Sequence, residues 1–185
     1  MKVIGVIGLN GSGKDEVVKY LNQKYGVPLI SVGDIVRALA AAQGIEPTRD
    51  NLDLITQNCF AQYGEGYFVK QVIEKIRQNQ WRIAGISGIR SPADIEAVRN
   101  AFDVSFVLIN VFVSDPRVRY ERVRQRGSQR DRISYRDFIR QDHDGEKIFH
   151  IQEAAGLANY SLANDGALAT LHHEIDALVA KGLLE

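Results

Sequence analysis

Residues 8–15, which read GLNGSGKD, constrain the fold of this chain more than any other stretch. They match the phosphate-loop pattern G-x-x-x-x-G-K-[ST] from Gly8 through Lys14. An apolar, β-rich run at 2–7 precedes the loop, and a run with helical apolar spacing at 15–25 follows it. A glycine-rich loop between a buried strand and a helix is the setting in which this pattern binds phosphate. The sequence therefore predicts a nucleotide-binding α/β protein.

The glycines and the lysine of the loop have separate tasks. Gly8, Gly11 and Gly13 let the backbone turn tightly, so that its N–H groups approach phosphate oxygens. The dipole of the following helix favours the same negative charge, and Lys14 can reach the β- and γ-phosphates. We expect the loop to bind ATP through Gly8, Leu9, Asn10, Gly11, Ser12, Gly13, Lys14 and Asp15.

Strands and helices are predicted to alternate along the whole chain. The predicted strands are 2–7, 28–32, 81–86, 104–113 and 160–163. The predicted helices are 15–25, 34–43, 48–63, 67–78, one from the Ser91-Pro92 cap, 115–127, 135–157 and 167–184. Such alternation predicts a five-stranded parallel sheet with helices on both faces, in one domain over 1–185. The longest β run, 104–113, is expected at its centre.

Ligands of such sheets bind beyond the carboxyl ends of the strands. Three polar stretches are predicted to follow strands there, at 8–14, 32–37 and 87–90. The formal net charge is zero, which argues against a nucleic-acid partner, and no apolar run is long enough to cross a membrane. The single cysteine, Cys59, is expected to be buried and fits a reducing cytoplasm. A monomer and a homodimer both stay open.

Several stretches together resemble a known family over nearly the whole chain. They read GLNGSGK, SVGDIVR, IEPTRDNL, YGEGYFVKQVIEKI, GIRSPADIEAVR and ANYSLANDGAL, with an arginine-rich helix at 115–127. The chain resembles the nucleoside-monophosphate-kinase branch of the P-loop NTPase fold, and most closely archaeal adenylate-kinase-related, dephospho-CoA-kinase-like proteins. The resemblance implies ATP and magnesium (Mg2+) as cofactors, an acceptor-binding segment at about 32–68 and a short lid at about 127–136.

Two positions depart together from that family's pattern. The loop hydroxyl of the pattern is replaced by Asp15, and the aspartate expected in the third strand is replaced by Ser87 in RIAGISGIRSP. In P-loop kinases these two positions are neighbours beside the metal. The exchange keeps one carboxylate and one hydroxyl, so we expect Asp15 and Ser87 to form an inverted magnesium site. Altered metal use and a weakened site are the alternatives.

The acceptor side is predicted from two further motifs. SVGDIVRAL resembles the stretch in which adenylate kinases hold the acceptor's phosphate, which implies that Asp34 and Arg37 bind substrate. Arg90 in GIRSP resembles a second phosphate-binding arginine, and guanidinium suits that task because its planar fork bonds two oxygens. Val32 replaces the family's threonine, which leaves an adenine acceptor open to question. Glu65 in YGEG is a weaker candidate for acceptor contact.

The adenine of the donor is expected to lie between two segments. By the resemblance, Arg122 stacks on the base and the backbone of ANDG passes its edge, which implicates Asn164 and Gly166. A solvated helical face accounts for most of the nine arginines between Arg117 and Arg140.

Phosphoryl transfer is expected to involve the second arginine of the helix. Arg126 lies one turn after Arg122, and the resemblance implies that it reaches the transferring phosphate. The lid would close over the site to exclude water, with Arg130 and Arg132 as its candidate contacts.

The sequence thus predicts a phosphotransferase that moves the γ-phosphate of ATP to a small phosphate-bearing acceptor. Lys14, Arg90 and Arg126 would be catalytic. A nucleoside or deoxynucleoside monophosphate is the favoured acceptor, and the hydroxyl of dephospho-CoA is the alternative. A regulatory ATPase module and a nucleic-acid end kinase are rivals of other classes; a second set of phosphate-binding arginines favours a kinase over a regulatory module.

Overall fold

A parallel sheet forms the framework of the molecule. The computed structural model describes residues 1–127 and 133–185. The strands within these ranges are β1 (Lys2–Ile7), β2 (Leu29–Ser31), β3 (Ile83–Ile89), β4 (Phe106–Phe112) and β5 (Tyr160–Ala163). Their order is β2-β3-β1-β4-β5, and every neighbouring pair is parallel. The prediction of a five-stranded parallel sheet is confirmed.

The middle of the sheet is occupied by β1, with β3 and β4 on its two sides. The expectation that 104–113 would be central is therefore wrong by one position. Val104 belongs to a short 3₁₀ turn at 103–105 and is 87% exposed. The apolar run at 104–113 is therefore longer than the strand that forms within it, and β4 and β3 have the same length.

Helices connect the strands, as predicted. The helices of the described residues are α1 (Lys14–Tyr25), α2 (Val32–Ala42), α3 (Arg49–Tyr63), α4 (Tyr67–Asn79), α5 (Pro92–Phe102), α6 (Pro116–Gln125), α7 (Tyr135–Phe149), α8 (Ile151–Gly156) and α9 (Leu168–Ala180). The single helix expected over 135–157 is two helices, because His150 adopts a left-handed conformation with φ 51°. In the described part of the chain, no helix has the length and apolar character that a membrane crossing requires.

The two faces of the sheet carry two hydrophobic layers. Side chains of a strand alternate between faces, and β1 shows this: Val3 and Ile7 join one layer, while Ile4 and Val6 join the other. The first layer packs against α2 to α5 and α8, and the second against α1 and α9. All four side chains are completely buried. The carboxyl ends of the strands therefore lie between helices that pack on both faces of the sheet.

The end of β3 differs from its prediction. The strand continues to Ile89, so Ser87 lies inside it and not after it. Its pairing with β1 shifts register there, from Val6 opposite Ser87 to Ile7 opposite Ile89. Gly88 is the extra residue of this bulge and has φ 88°, a conformation that favours glycine. Bulges re-aim side chains and often lie next to active sites.

Half of the predicted lid at 127–136 falls on residues 128–132, outside the described ranges, and Arg130 and Arg132 are among them. Beyond them, Ser134 caps α7 by accepting a hydrogen bond from the N–H of Asp137. The last two residues of the predicted lid therefore already form the first turn of α7.

Candidate active site

A cavity of about 280 Å³ opens at the carboxyl ends of β1, β2 and β3. The wall includes residues from the phosphate loop and from helices α2, α3, α4 and α7. Of the residues predicted for the site, the cavity brings together Asn10, Lys14, Asp15, Asp34, Arg37, Ser87, Arg90 and Arg126. The phosphate loop and the predicted acceptor arginines therefore share one space.

The phosphate loop has the backbone that its glycines predict. Gly11 and Gly13 have φ 80° and 98°, and a Cβ on Gly11 would lie 2.5 Å from the carbonyl oxygen of Arg119. Such angles and such a close approach both require glycine. The helix bond nearest the loop runs from the Glu16 N–H to the carbonyl of Gly13. The N–H groups of Lys14 and Asp15 precede that bond and lie at the positive end of the helix, as phosphate binding requires.

Lys14 is a cation held away from solvent. Its side chain is 13% exposed, and its Nζ lies 3.7 Å from Oδ2 of Asp15. Burial lowers the pKa of the Lys14 ammonium; Asp15 raises it, and nearby Arg90, Arg49 and Arg126 lower it further. An anionic ligand would remove this penalty by supplying the negative charge that the surroundings lack.

Asp15 and Ser87 meet, as the exchange hypothesis requires. The Oγ of Ser87 donates a hydrogen bond to Oδ1 of Asp15 at 2.5 Å. Lys14, and then this hydrogen bond, lower the pKa of the Asp15 carboxyl against the opposing effect of burial. The carboxylate is 63% exposed and faces the cavity, whereas Ser87 is buried. Asp15 is therefore ionised and open to a ligand at neutral pH.

The carboxylate and hydroxyl of this pair fit a magnesium ion whose other ligands are phosphate and water. Among the described residues, no group of three or more His, Cys, Asp or Glu side chains is arranged to hold a metal. Magnesium in kinases is commonly held by one or two carboxylates together with substrate phosphates and water. Asp15, with Ser87 hydrogen-bonded to it, offers the one carboxylate that such a magnesium ion requires from the protein.

The acceptor motifs contribute two arginines in different surroundings. Arg37 forms an ion pair with Asp34, one turn away on α2. Arg90 donates from Nη1 to Oδ1 of Asp53 at 3.3 Å, and its guanidinium carbon lies 4.9 Å from the ring centre of Phe149. Burial and then the charge of Arg49 lower the pKa of Arg90 to about 10, so it stays protonated at neutral pH. Both arginines line the cavity.

Other lining residues were not predicted from the sequence. Arg49 lines the cavity and forms an ion pair with Asp53 at helical i, i+4 spacing on α3. That spacing, from Arg49 in IEPTRDNL to Asp53 just after the stretch, was a signal that could have revealed the pair. Phe60, Phe68 and Phe149 come from α3, α4 and α7 and form an apolar part of the wall. No local pattern distinguishes these rings from ordinary core residues. Glu65 does not line the cavity.

Arg126 links the arginine-rich helix to the phosphate loop. Its Nη2 donates to Oδ1 of Asn10 at 2.8 Å, and both residues line the cavity. The structure therefore places Arg126 beside the phosphate loop, and its role toward a transferring phosphate stays a prediction.

The predicted adenine residues cluster outside that cavity. Arg122 donates from Nη1 to the carbonyl of Asn164 at 2.8 Å and from Nη2 to that of Gly166 at 3.4 Å. The side chain of Asn164 is buried and donates to the carbonyl of Ser12 at 2.8 Å. These contacts tie the 164–166 segment to the phosphate loop. The three residues thus lie together as expected, and Arg122 already binds the segment's carbonyls.

Arg119 is an exception to the solvated face that accounts for most of these arginines. It is 4% exposed, donates to the carbonyl of Asn10 at 3.1 Å and binds Oδ2 of Asp142 on α7 at 2.6 Å. A buried arginine one turn before Val123 shares that residue's inward face. The helical spacing was therefore a usable signal. Arg119 joins the phosphate loop to α7.

Comparisons with known proteins agree with this architecture. The AAA domain family matches residues 7–138. UPF0200 protein PH1008 of Pyrococcus horikoshii is 34% identical over 182 residues, covering 97% of this chain and 96% of its own. A UPF0200 protein of Thermococcus onnurineus is 32% identical over 185 residues, with 99% of each chain covered.

Solved kinases share the fold at low sequence identity. A gluconokinase from Sinorhizobium meliloti superposes with a TM-score of 0.61 and 17% identity, over 97% of this chain and 92% of that chain. A shikimate kinase from Acinetobacter baumannii gives a TM-score of 0.57 and 16% identity, over 100% of this chain and 96% of that chain. The sheet, the phosphate loop and these matches lead to one conclusion: the chain is a P-loop protein with an AAA domain and belongs to the UPF0200 family.

Proposed function

We propose that this protein is an ATP-dependent phosphotransferase that moves the γ-phosphate to a nucleoside or deoxynucleoside monophosphate. The observation that carries the proposal is the shared cavity: Lys14 and Asp15 of the phosphate loop face the same 280 Å³ as Arg37 and Arg90. A regulatory ATPase has no need of a second phosphate-binding region. A kinase needs two, one on each side of the reacting phosphorus.

On the donor side, Lys14 and the loop N–H groups bind the β- and γ-phosphates. Asp15, hydrogen-bonded to Ser87, would hold magnesium, which when bound supplies charge neutralisation of the phosphates. Because Asp15 is anionic, it repels phosphate unless a cation lies between them. The proposed enzyme therefore depends strongly on magnesium.

Transfer needs no covalent intermediate with the protein. An oxygen of the acceptor's phosphate attacks the γ-phosphorus, the bond to the β–γ bridging oxygen breaks, and ADP leaves with that electron pair. Arg37 and Arg90 position the acceptor, while Lys14 and Arg126 offset negative charge on the transferring group. Such catalysis rests on positioning and charge stabilisation.

The apolar wall suits the rest of a nucleotide acceptor. Phe60, Phe68 and Phe149 line the same cavity as the arginines, and aromatic rings stack well on flat bases. A ligand with an anionic group and a flat apolar body matches this division of the wall.

Transfer to a hydroxyl, as in dephospho-CoA, is a second candidate. The carboxylate of Asp34 lines the cavity and is 70% exposed, so it could accept the proton of an attacking hydroxyl. A phosphate acceptor needs no such base, which separates the two chemistries.

A panel of acceptors tests the proposal. Nucleoside monophosphates, deoxynucleoside monophosphates and dephospho-CoA are each incubated with ATP and magnesium, and ADP and phosphorylated product are measured together. We expect ADP to form in step with one nucleoside diphosphate. Arg37→Ala and Arg90→Ala should raise the acceptor KM far more than the ATP KM. ADP formed without any phosphorylated product would favour the regulatory module instead.

A further inference from the structure

The IEPTRDNL stretch has a structural role that the proposed function does not use. Thr48 caps α3 by accepting a hydrogen bond from the N–H of Asn51 at 3.2 Å. The cap makes Arg49 the first residue of the helix. Its side chain is 21% exposed and lines the cavity described above.

Asp53 holds Arg49 and Arg90 together. Its Oδ2 accepts from Nε of Arg49 at 3.0 Å, and its Oδ1 accepts from Nη1 of Arg90 at 3.3 Å. Asp53 is 6% exposed, so it is oriented by its surroundings and not by solvent. One buried carboxylate therefore restrains two guanidinium groups, and one positive charge of this trio is left over.

Arg49 also faces the phosphate loop. A second, smaller cavity at the mouth of the loop is lined by Gly8, Leu9 and Asn10. Five residues line both cavities: Asn10, Lys14, Arg49, Arg90 and Gln141. These residues therefore border both the cavity at the phosphate loop and the proposed acceptor cavity. Arg49 and Arg90 are also close enough to Lys14 for their charges to lower its pKa.

Some N–H groups of the Arg49 guanidinium bind no protein atom of the described residues. Its bond to Asp53 uses Nε, and within residues 1–127 and 133–185 neither Nη donates to a protein atom. α7 approaches this guanidinium through a glycine, Gly145, where a Cβ would lie 3.6 Å from Nη2 of Arg49. A guanidinium fixed at one edge, with its other donors open, is suited to bidentate binding of an oxyanion.

We propose that Arg49 is a further phosphate-binding residue, which acts with Arg90 as a pair to grip the dianionic phosphate of the acceptor next to the transferring group. Asp53 is the positioning residue that sets the separation of the two guanidiniums. The inference rests on the proposed function for its substrate class, a phosphomonoester. It adds a residue from α3 to an acceptor site otherwise built from α2 and the end of β3.

The test uses inorganic phosphate as the probe, titrated calorimetrically into the full chain saturated with ADP and magnesium. ADP occupies the phosphate loop, so added phosphate reports on the space beyond it. Arg49→Gln should weaken phosphate binding about ten- to a hundredfold, the loss typical of a charge-assisted hydrogen-bonded contact. Arg49→Lys, which keeps the charge without the fork, should fall between wild type and Arg49→Gln.

Arg140→Gln is the matched control. Arg140 binds Asp50 of the same helix α3 at 3.2 Å but is half exposed and does not line the acceptor cavity. We expect phosphate binding within twofold of wild type. If Arg49→Gln does not fold, Arg49→Lys carries the test, because it keeps a positive charge for Asp53 and loses only the planar fork that binds two oxygens.

The outcomes separate this inference from the proposed function. Phosphate binding by a folded Arg49 variant within twofold of wild type overturns the role of Arg49, whatever the acceptor panel shows. Absence of saturable phosphate binding by the wild type overturns it as well. Phosphate binding that depends on Arg49, in a protein that phosphorylates no acceptor, supports the anion clamp and contradicts the kinase.

Discussion

Two aspartates organise hydrogen-bond networks at separate places in the molecule, and their partners differ in charge. Asp176 of α9 accepts hydrogen bonds from the hydroxyls of Tyr20 and Tyr25 and from the ammonium of Lys24. Asp53 of α3 accepts from two guanidiniums, those of Arg49 and Arg90. The first network joins one anion to one cation, and the second joins one anion to two.

The difference distinguishes a structural contact from a ligand site. The α1–α9 network is balanced and needs no further anion. At the α3–β3 network Asp53 balances only one of its two guanidinium partners, although Asp94 also attracts Arg90. Burying unbalanced charge is costly unless a ligand compensates it. Burial, and then the charges of Arg90, Arg49 and Arg126, lower the pKa of Lys14 although Asp15 raises it. Hydrogen bonds with Asp176 and Tyr20 instead raise the pKa of Lys24. We therefore expect an anionic ligand at this wall of the cavity and none at the α1–α9 network.

The largest effect should separate the two lysines. Lys14→Ala should reduce phosphotransfer about 10²–10³-fold, because it removes a charge that stabilises the transferring phosphate. Lys24→Ala on the same helix should leave the rate within twofold. Steady-state turnover of both variants is the measurement, with circular dichroism to confirm folding. Equal turnover in the two variants would contradict the distinction between the networks.

Arg119 lies near the cavity but resembles the balanced network, since it pairs with Asp142 and is almost fully buried. Removing one partner of a buried ion pair costs about 3–5 kcal/mol. We place Arg119→Met at the lower end, about 3 kcal/mol in the free energy of unfolding, because Asp142 remains 17% exposed. Denaturant unfolding measures this loss.

The control for Arg119 is Arg124→Met in the same helix. Arg124 is 57% exposed and lies 3.7 Å from Glu121, so its ion pair should contribute less than about 1 kcal/mol. Similar losses in the two variants would show that burial does not determine the role of an arginine on α6.

The Asp15–Ser87 pair tests whether the carboxylate that we propose for magnesium can change position. Asp15→Ser leaves no carboxylate beside the metal, and Ser87→Asp places two carboxylates side by side, so each single variant should lose activity. The double variant restores one of each group in the opposite order. We expect recovery that corresponds to an interaction energy on the order of 1–3 kcal/mol.

Turnover of the four proteins across a magnesium titration gives that interaction energy. The hydrogen bond of 2.5 Å between the two side chains is the structural reason to expect coupling. Strictly additive losses would show that Asp15 and Ser87 act independently, and the exchanged-pair hypothesis would then be wrong.

The sequence predicted the fold and the conformation of the phosphate loop well, because their determinants are local. The phosphate loop is contiguous, and Ser91 and Asp94 form the capping box expected before α5. Strand β1 has the bounds that its apolar run predicted. Even the meeting of Asp15 and Ser87 followed from a spatial neighbourhood that the resemblance supplied.

The part of the cavity around Arg90 was less predictable, because the residues that line it and position it are distant in sequence. Asp53 and Arg90 are 37 positions apart, and their pairing depends on how α3 packs over the end of β3. In the sequence, Phe149 cannot be told from an ordinary core phenylalanine, and only the folded chain shows that it lines a cavity. Burial of charged side chains, as at Arg119, is likewise set by tertiary packing and only weakly signalled by helical spacing.

The smallest effect concerns the balanced network. Hydrogen bonds from Lys24, and then from Tyr25, lower the pKa of Asp176 to about 2 from its ordinary 3.8. A carboxyl whose pKa is lower in the folded state stabilises the fold fully above its ordinary pKa, and this contribution is lost as pH falls through the folded pKa.

Because the network is on the surface, Asp176→Asn should lower the Tm by only about 2 °C at pH 7. The difference in Tm from wild type should close between pH 4 and pH 2, and phosphate binding should be unchanged. A Tm difference that persists at pH 2, or weaker phosphate binding, would mean that the network does more than join α9 to α1.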